Sequence, residues 1–120
     1  MREHGRFCLS PQNIIEFAAV ATRVRFVDPP LSADKVAEIA AKLYSSRKLG
    51  KIYPARGTVI RAMREGRILG KAGNAWYDVY LAMTMRDAGV GTVVTENARD
   101  FAGLDFINVM GIEEAAGMLR

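Results

Sequence analysis

The stretch from Gly73 to Phe101 most constrains what this chain can fold into, because it joins a helix, a strand and a polar turn with few residues between them. Asn74 is a good N-cap, Trp76, Val79, Tyr80, Met83 and Ala88 recur at helical spacing, and Gly89 is a stop. The spacing therefore predicts an amphipathic helix over 74–88. Val90 to Thr95 is β-branched and mostly apolar, which predicts a strand buried on both faces of a parallel sheet. A helix packed on such a sheet runs opposite to its strands, so its N-terminus lies at their carboxyl edge, where open α/β sheets place their sites. Asp78, Asn97 and Asp100 are thereby expected on one rim. They also suit plainer roles, Asp78 favouring the helix dipole and Asn97 and Asp100 making a turn.

The rest of the chain alternates in the same way. Phe7 to Ser10 reads as a short buried strand, and Ser10 as N-cap with Pro11 after it opens a helix to about Thr22, with Ile14, Phe17, Ala18 and Ala21 inward. Glu16 lies off the centre of that stripe. It either faces the rim expected for Asp78 or is an ordinary solvent-facing glutamate. Arg23 to Leu31 is a connector, and Ser32 caps a helix to about Arg47 with Val36, Ile39, Ala40 and Leu43 inward. Residues 49–57 allow at most a short strand around Ile52 and Tyr53. Thr58 opens a further helix in which Val59, Ile60 and Met63 are expected to pack while Arg61, Arg64 and Arg67 point elsewhere. Phe106 to Met110 reads as a strand and Ile112 to Leu119 as a closing helix, with Glu113 and Glu114 in its first turn. The 120 residues are expected to form one α/β domain, a parallel sheet flanked by helices.

Charge is unevenly spread. Between positions 47 and 71 lie Arg47, Lys48, Lys51, Arg56, Arg61, Arg64, Arg67 and Lys71 against Glu65 alone, while the remainder is mildly acidic. Such a segment favours a polyanion through phosphate contacts and counterion release. A solvated helix face, or a docking surface for an acidic protein, gives the same composition. The single Cys8 excludes an internal disulfide and a cysteine-based zinc site, and His4, the one histidine, stands in a polar terminus ill suited to a triad or a multi-histidine metal site. No G-x-G-x-x-G occurs, and Gly66 to Ala72 is one residue short of a P-loop, with Ala72 where a Mg²⁺-binding hydroxyl would be needed. Neither an apolar leader nor an apolar run of membrane-spanning length is present, so the expectation is a cytoplasmic protein with no membrane partner.

Three motifs carry a family resemblance. Ser10-Pro11-Gln12-Asn13-Ile14-Ile15-Glu16-Phe17, the Gly73-x₄-Asp78 helix start with Leu81-Ala82, and Thr95-Glu96-Asn97-Ala98-Arg99-Asp100-Phe101 resemble, in order and spacing, the later motifs of PIN-domain ribonucleases, which include VapC-type toxins. The resemblance implies a Rossmann-like α/β/α fold and a Mg²⁺- or Mn²⁺-dependent nuclease acting on RNA. By the same carry-over Glu16 and Asp78 match the family's second and third acidic positions and would ligate metal, with Asp100 or Asn97 holding a second ion or positioning water. Thr95 matches the threonine that ends the fourth strand. Arg56, Arg61, Arg64, Arg67 and Lys71 are the candidate RNA contacts. A VapB-like antitoxin and a second copy of the chain are the further partners it suggests, since the family often dimerises and exposed strand edges favour association.

The chain departs from the family at its start. Members usually begin with a strand ending in aspartate, followed by one or two helices, whereas the only acid before Glu16 is Glu3 in the polar leader. A domain lacking its usual first, central strand and its first catalytic acid is therefore expected, with weak or absent cleavage by this chain alone. A non-catalytic PIN-like module, binding RNA or an antitoxin-like protein through the basic segment, is the alternative.

Overall fold

Serine side chains cap the first two helices of the chain, while the next two start without a side-chain cap. The computed structural model describes residues 7–23, 28–95 and 98–111. His4, Asn97 and the helix expected over 112–119 lie outside them. The chain divides into two compact units, one within residues 3–53 and the other within 54–120.

The unit within 3–53 is a β-α-α-β arrangement. Strand β1 (Phe7–Leu9) leads directly into helix α1 (Pro11–Ala21), helix α2 (Ala33–Ser45) follows, and strand β2 (Leu49–Lys51) returns parallel to β1, pairing Phe7 with Leu49 and Leu9 with Lys51. Ile52 N–H donates to the Leu9 carbonyl at 2.9 Å and extends that pairing. The N-terminus of α1 is closed reciprocally, Asn13 N–H donating to Ser10 Oγ while Ser10 N–H donates to Asn13 Oδ1, with Pro11 at the first helical position. At the start of α2 the Ser32 hydroxyl accepts from Lys35 N–H, a one-sided cap. Ala21, Val36 and Ile52 form the buried apolar positions, and Ile14, Phe17, Ala18, Ile39, Ala40 and Leu43 are half-buried, as the helical spacing predicts.

The unit within 54–120 is built on an antiparallel helical hairpin, α3 (Thr58–Ile68) and α4 (Ala75–Asp87), followed by strand β3 (Thr92–Val94), a 3-10 turn (Ala98–Phe101) and strand β4 (Asn108–Met110). Gly89 ends α4 at φ 74°, a left-handed conformation that a side chain disfavours. The core joins Ala62 of α3 to Val79 and Met83 of α4, with Tyr80 and Phe106 packed against them.

Two expectations are corrected here. Val59, Ile60 and Met63 do not pack inward; they are 45%, 59% and 46% exposed, and the inward face is Thr58, Ala62 and Gly66. Small residues four apart let α4 approach α3 closely, and that close contact outweighs the burial of larger side chains on the other face. Strand β3 is parallel to β4, pairing Thr92 with Asn108 and Val94 with Met110, yet Thr92 and Val94 are exposed. Among the described residues β3 has a single neighbour, so it cannot be covered as a central strand would be. The observed fold is mixed α/β, with four helices and two short parallel strand pairs among the described residues.

Candidate functional site

Three independent contacts bring separate segments of the second unit to one end of the α3–α4 hairpin. The indole of Trp76, in the first turn of α4, lies against Gly66 so closely that a Cβ placed there would be 2.7 Å from Cε3 and 2.8 Å from Cη2. That contact sets the turn bearing Asp78 beside the last turn of α3, which bears Arg67. The connection between the helices then reaches the segment after the 3-10 turn. Lys71 Nζ donates to the Ala102 carbonyl at 3.4 Å, and a Cβ at Gly103 would lie 2.9 Å from Leu69 Cδ2. Gly103 adopts φ 85°, so glycine is favoured there for its backbone as well as for the space. Asp100 belongs to that same 3-10 turn, which packs on α4. The elements carrying Asp78, Asp100, Arg67 and Lys71 are thus gathered by the packing.

The side chains differ in environment. Asp78 is half-buried in the first turn of α4, where the helix dipole favours a carboxylate. Asp100 is exposed. Thr95 follows the end of β3, is half-buried, and its N–H donates to the Met110 carbonyl at 2.9 Å. Glu16 belongs to the unit within 3–53, where it is exposed on α1 and accepts from Gln12 Nε2 at 3.3 Å.

The basic residues are not equivalent. Arg56, Arg64 and Arg67 are exposed, and Arg64 and Arg67 share the outward face of α3 with Ile60, Met63 and Ile68. Arg61, expected to point outward with them, is half-buried and paired with Asp87 at the far end of the hairpin, because it sits next to the inward stripe of Thr58 and Ala62. Asp87 also accepts a 2.6 Å hydrogen bond from Thr58 Oγ1, and Thr58 Oγ1 accepts from Ala55 N–H at 2.8 Å. The Thr58 hydroxyl, followed by the charge and hydrogen bond of Arg61, holds the Asp87 carboxyl below its ordinary range against the opposing effect of burial. Lys51 is likewise engaged, its ammonium donating to the Ser46 and Leu49 carbonyls beyond the end of α2.

The Thr58–Arg61–Asp87 clamp has a signal in the sequence, a hydroxyl at a helix start and an aspartate at the end of the next helix, but pairing them requires knowing that the helices are antiparallel. Among the described residues no group of three or more His, Cys, Asp or Glu is gathered in a metal-binding arrangement. Asp78 on α4 and Asp100 on the 3-10 turn are carboxylates on touching elements, and carboxylate oxygens are the kind of donor that a hard divalent cation takes. Among the described residues no helix is long and apolar enough to cross a membrane. No protein-family model and no curated protein matches the sequence.

Proposed function

We propose that this chain is a PIN-like, metal-dependent ribonuclease that acts on RNA phosphodiester bonds. The observation that carries the reading is the approach, at one end of the α3–α4 hairpin, of residues 102–103, which follow the 3-10 turn bearing Asp100, to the connection that leads from Arg67 through Lys71 into the Asp78 turn. It is supported by the order of the three motifs, and a Rossmann-like arrangement of the sheet belongs to the same reading. Asp78 and Asp100 would hold Mg²⁺ or Mn²⁺, which supplies Lewis-acid polarisation of a phosphate and a water of lowered pKa. The chain's own cations do the rest of the binding. Arg64 and Arg67, at helical spacing i and i+3 on an exposed face, can follow successive phosphates, and the guanidinium fork suits bidentate phosphate contacts. Lys71 is tied by the Ala102 carbonyl to the segment that follows the 3-10 turn, which keeps its charge at that end of the hairpin.

A second reading, a PIN-like module that binds RNA or a VapB-like antitoxin without cleaving, is favoured by one observation. Exposed arginines are plentiful on α3, while no set of three acidic ligands is gathered among the described residues.

Calorimetric titration with Mn²⁺ and RNA binding in EDTA separate the two. The nuclease reading predicts Mn²⁺ heat that disappears in Asp78→Ala. It also predicts RNA affinity that falls about tenfold in the Arg64→Ala, Arg67→Ala double variant, with the salt dependence reduced by roughly two phosphate contacts. RNA binding in EDTA with no Mn²⁺ heat would support the second reading and overturn the first.

A further inference from the structure

We propose that Leu69 is a positioning residue whose side chain, seated on Gly103, fixes the segment that bears Asp100 and so sets the affinity for the cation, an inference that rests on the metal-dependent reading above. The way α3 ends holds Leu69 in place. Gly70 takes φ 66°, its N–H donates to the Arg67 carbonyl at 3.2 Å, and Lys71 N–H donates to the Gly66 carbonyl at 2.9 Å. These are the paired bonds of a Schellman motif with Leu69 as its C-cap. Leu69 is half-buried there, and its branched tip fills the place that a side chain at position 103 would need. A Cβ on Gly103 would lie 2.9 Å from Leu69 Cδ2 and 3.6 Å from Cδ1.

The segment facing Leu69 is as closely constrained. Phe101 and Leu104 are buried on either side of Gly103, Ala102 N–H donates to the Arg99 carbonyl at 3.2 Å, and Leu104 N–H donates to the Phe101 carbonyl at 3.1 Å. Hydrogen-bonded turns therefore run without a break from Asp100 to Gly103, and a shift at one is carried to the other. Lys71 supplies a second tie through the Ala102 carbonyl, but a 3.4 Å bond at an exposed position is the weaker of the two. The apolar contact decides where the segment sits. Groups that orient a metal ligand without touching the metal change its affinity by about 10- to 100-fold, which is the kind of effect Leu69 exerts through Asp100.

The test uses the full chain and Tb³⁺, a hard cation that takes carboxylate oxygens and whose emission is sensitised by a nearby indole. Trp76, the one tryptophan, stands two residues before Asp78. The wild-type protein gives saturable sensitised emission that Asp78→Ala removes, and Asp100→Ala weakens Tb³⁺ affinity about tenfold. Leu69→Ala weakens it by a similar factor, while Leu69→Met, which conserves volume, stays close to wild type. In an Asp100→Ala background Leu69→Ala costs nothing further, because the two act as one unit. Gly103→Ala, at an exposed position where folding is retained, pushes the same contact from the other side and gives the same loss. Wild-type affinity in both Leu69→Ala and Gly103→Ala, or a Leu69→Ala loss just as large in the Asp100→Ala background, overturns the positioning role and leaves the metal-dependent reading standing. Emission absent from wild type, or unaltered in Asp78→Ala, overturns that reading and the positioning role with it.

Discussion

Gly66→Val is expected to destabilise the unit within residues 54–120 by about 2–3 kcal/mol. Gly66 is fully enclosed in α3, and a Cβ there would meet three carbons of the Trp76 ring at distances well inside van der Waals contact. The indole cannot retreat without lifting the first turn of α4, since Val79, one helical turn further on, is already fully buried against Ala62. Overpacking of this kind costs about 1–3 kcal/mol, and the better helix propensity of valine returns only a few tenths of that. Gly66→Ala should cost less, about 1 kcal/mol, because alanine adds a smaller clash and gains about 1 kcal/mol of helix propensity. Urea unfolding followed by the fluorescence of Trp76, the one tryptophan of the chain, reads this unit directly. A Gly66→Val variant as stable as wild type would mean that α4 does not rest on α3 at this point.

Asp87→Ala is expected to cost about 2 kcal/mol at neutral pH, the range of a hydrogen bond to a charged group in a partly enclosed site. Its carboxylate joins the start of α3 to the end of α4 through Thr58 and Arg61, and Thr58 is fully buried, so the alanine variant leaves a buried hydroxyl without its acceptor. The pH dependence follows from the direction of the Asp87 shift. Its folded-state pKa lies below the ordinary value of 3.8, so the contribution is fully present above that value and is lost as pH falls through the lower, folded-state one. Wild type and Asp87→Ala should therefore differ most above the ordinary carboxylate value and converge as pH falls through the lower, folded-state one, and thermal unfolding at several pH values measures this. A constant difference across that range would show that Asp87 acts through its shape rather than its charge.

These two positions also show why parts of the fold could be read in advance and others could not. Ser10 with Pro11, Ser32, and Gly89 act within a few residues of themselves, so their capping and stopping roles follow from local chemistry. The inward phase of α3 does not. Periodicity weights large apolar residues and so favours Val59, Ile60 and Met63, whereas the contact is made by Thr58, Ala62 and Gly66, whose value lies in being small beside Trp76 and Val79. Strand β3 was legible as a strand, but its burial depends on how many strands flank it, which no property of residues 90–95 encodes. In the candidate site, the place of Asp78 in the first turn of α4 follows from Gly73 and Asn74, although Asn74 makes no side-chain cap. The separation of Arg61 from Arg64 and Arg67 required the Asp87 pairing, and Lys71 reaches Ala102 across 31 residues of sequence.

The most direct measurement is Mn²⁺ titration of ¹⁵N-labelled protein, followed by paramagnetic broadening of its amide resonances. If Asp78 and Asp100 serve one cation at the end of the hairpin, residues 76–79 and 99–103 broaden together at substoichiometric Mn²⁺, and Asp78→Ala removes the broadening from both segments. Broadening spread over the exposed carboxylates of α2, Asp34 and Glu38, with residues 76–79 and 99–103 untouched, would contradict it.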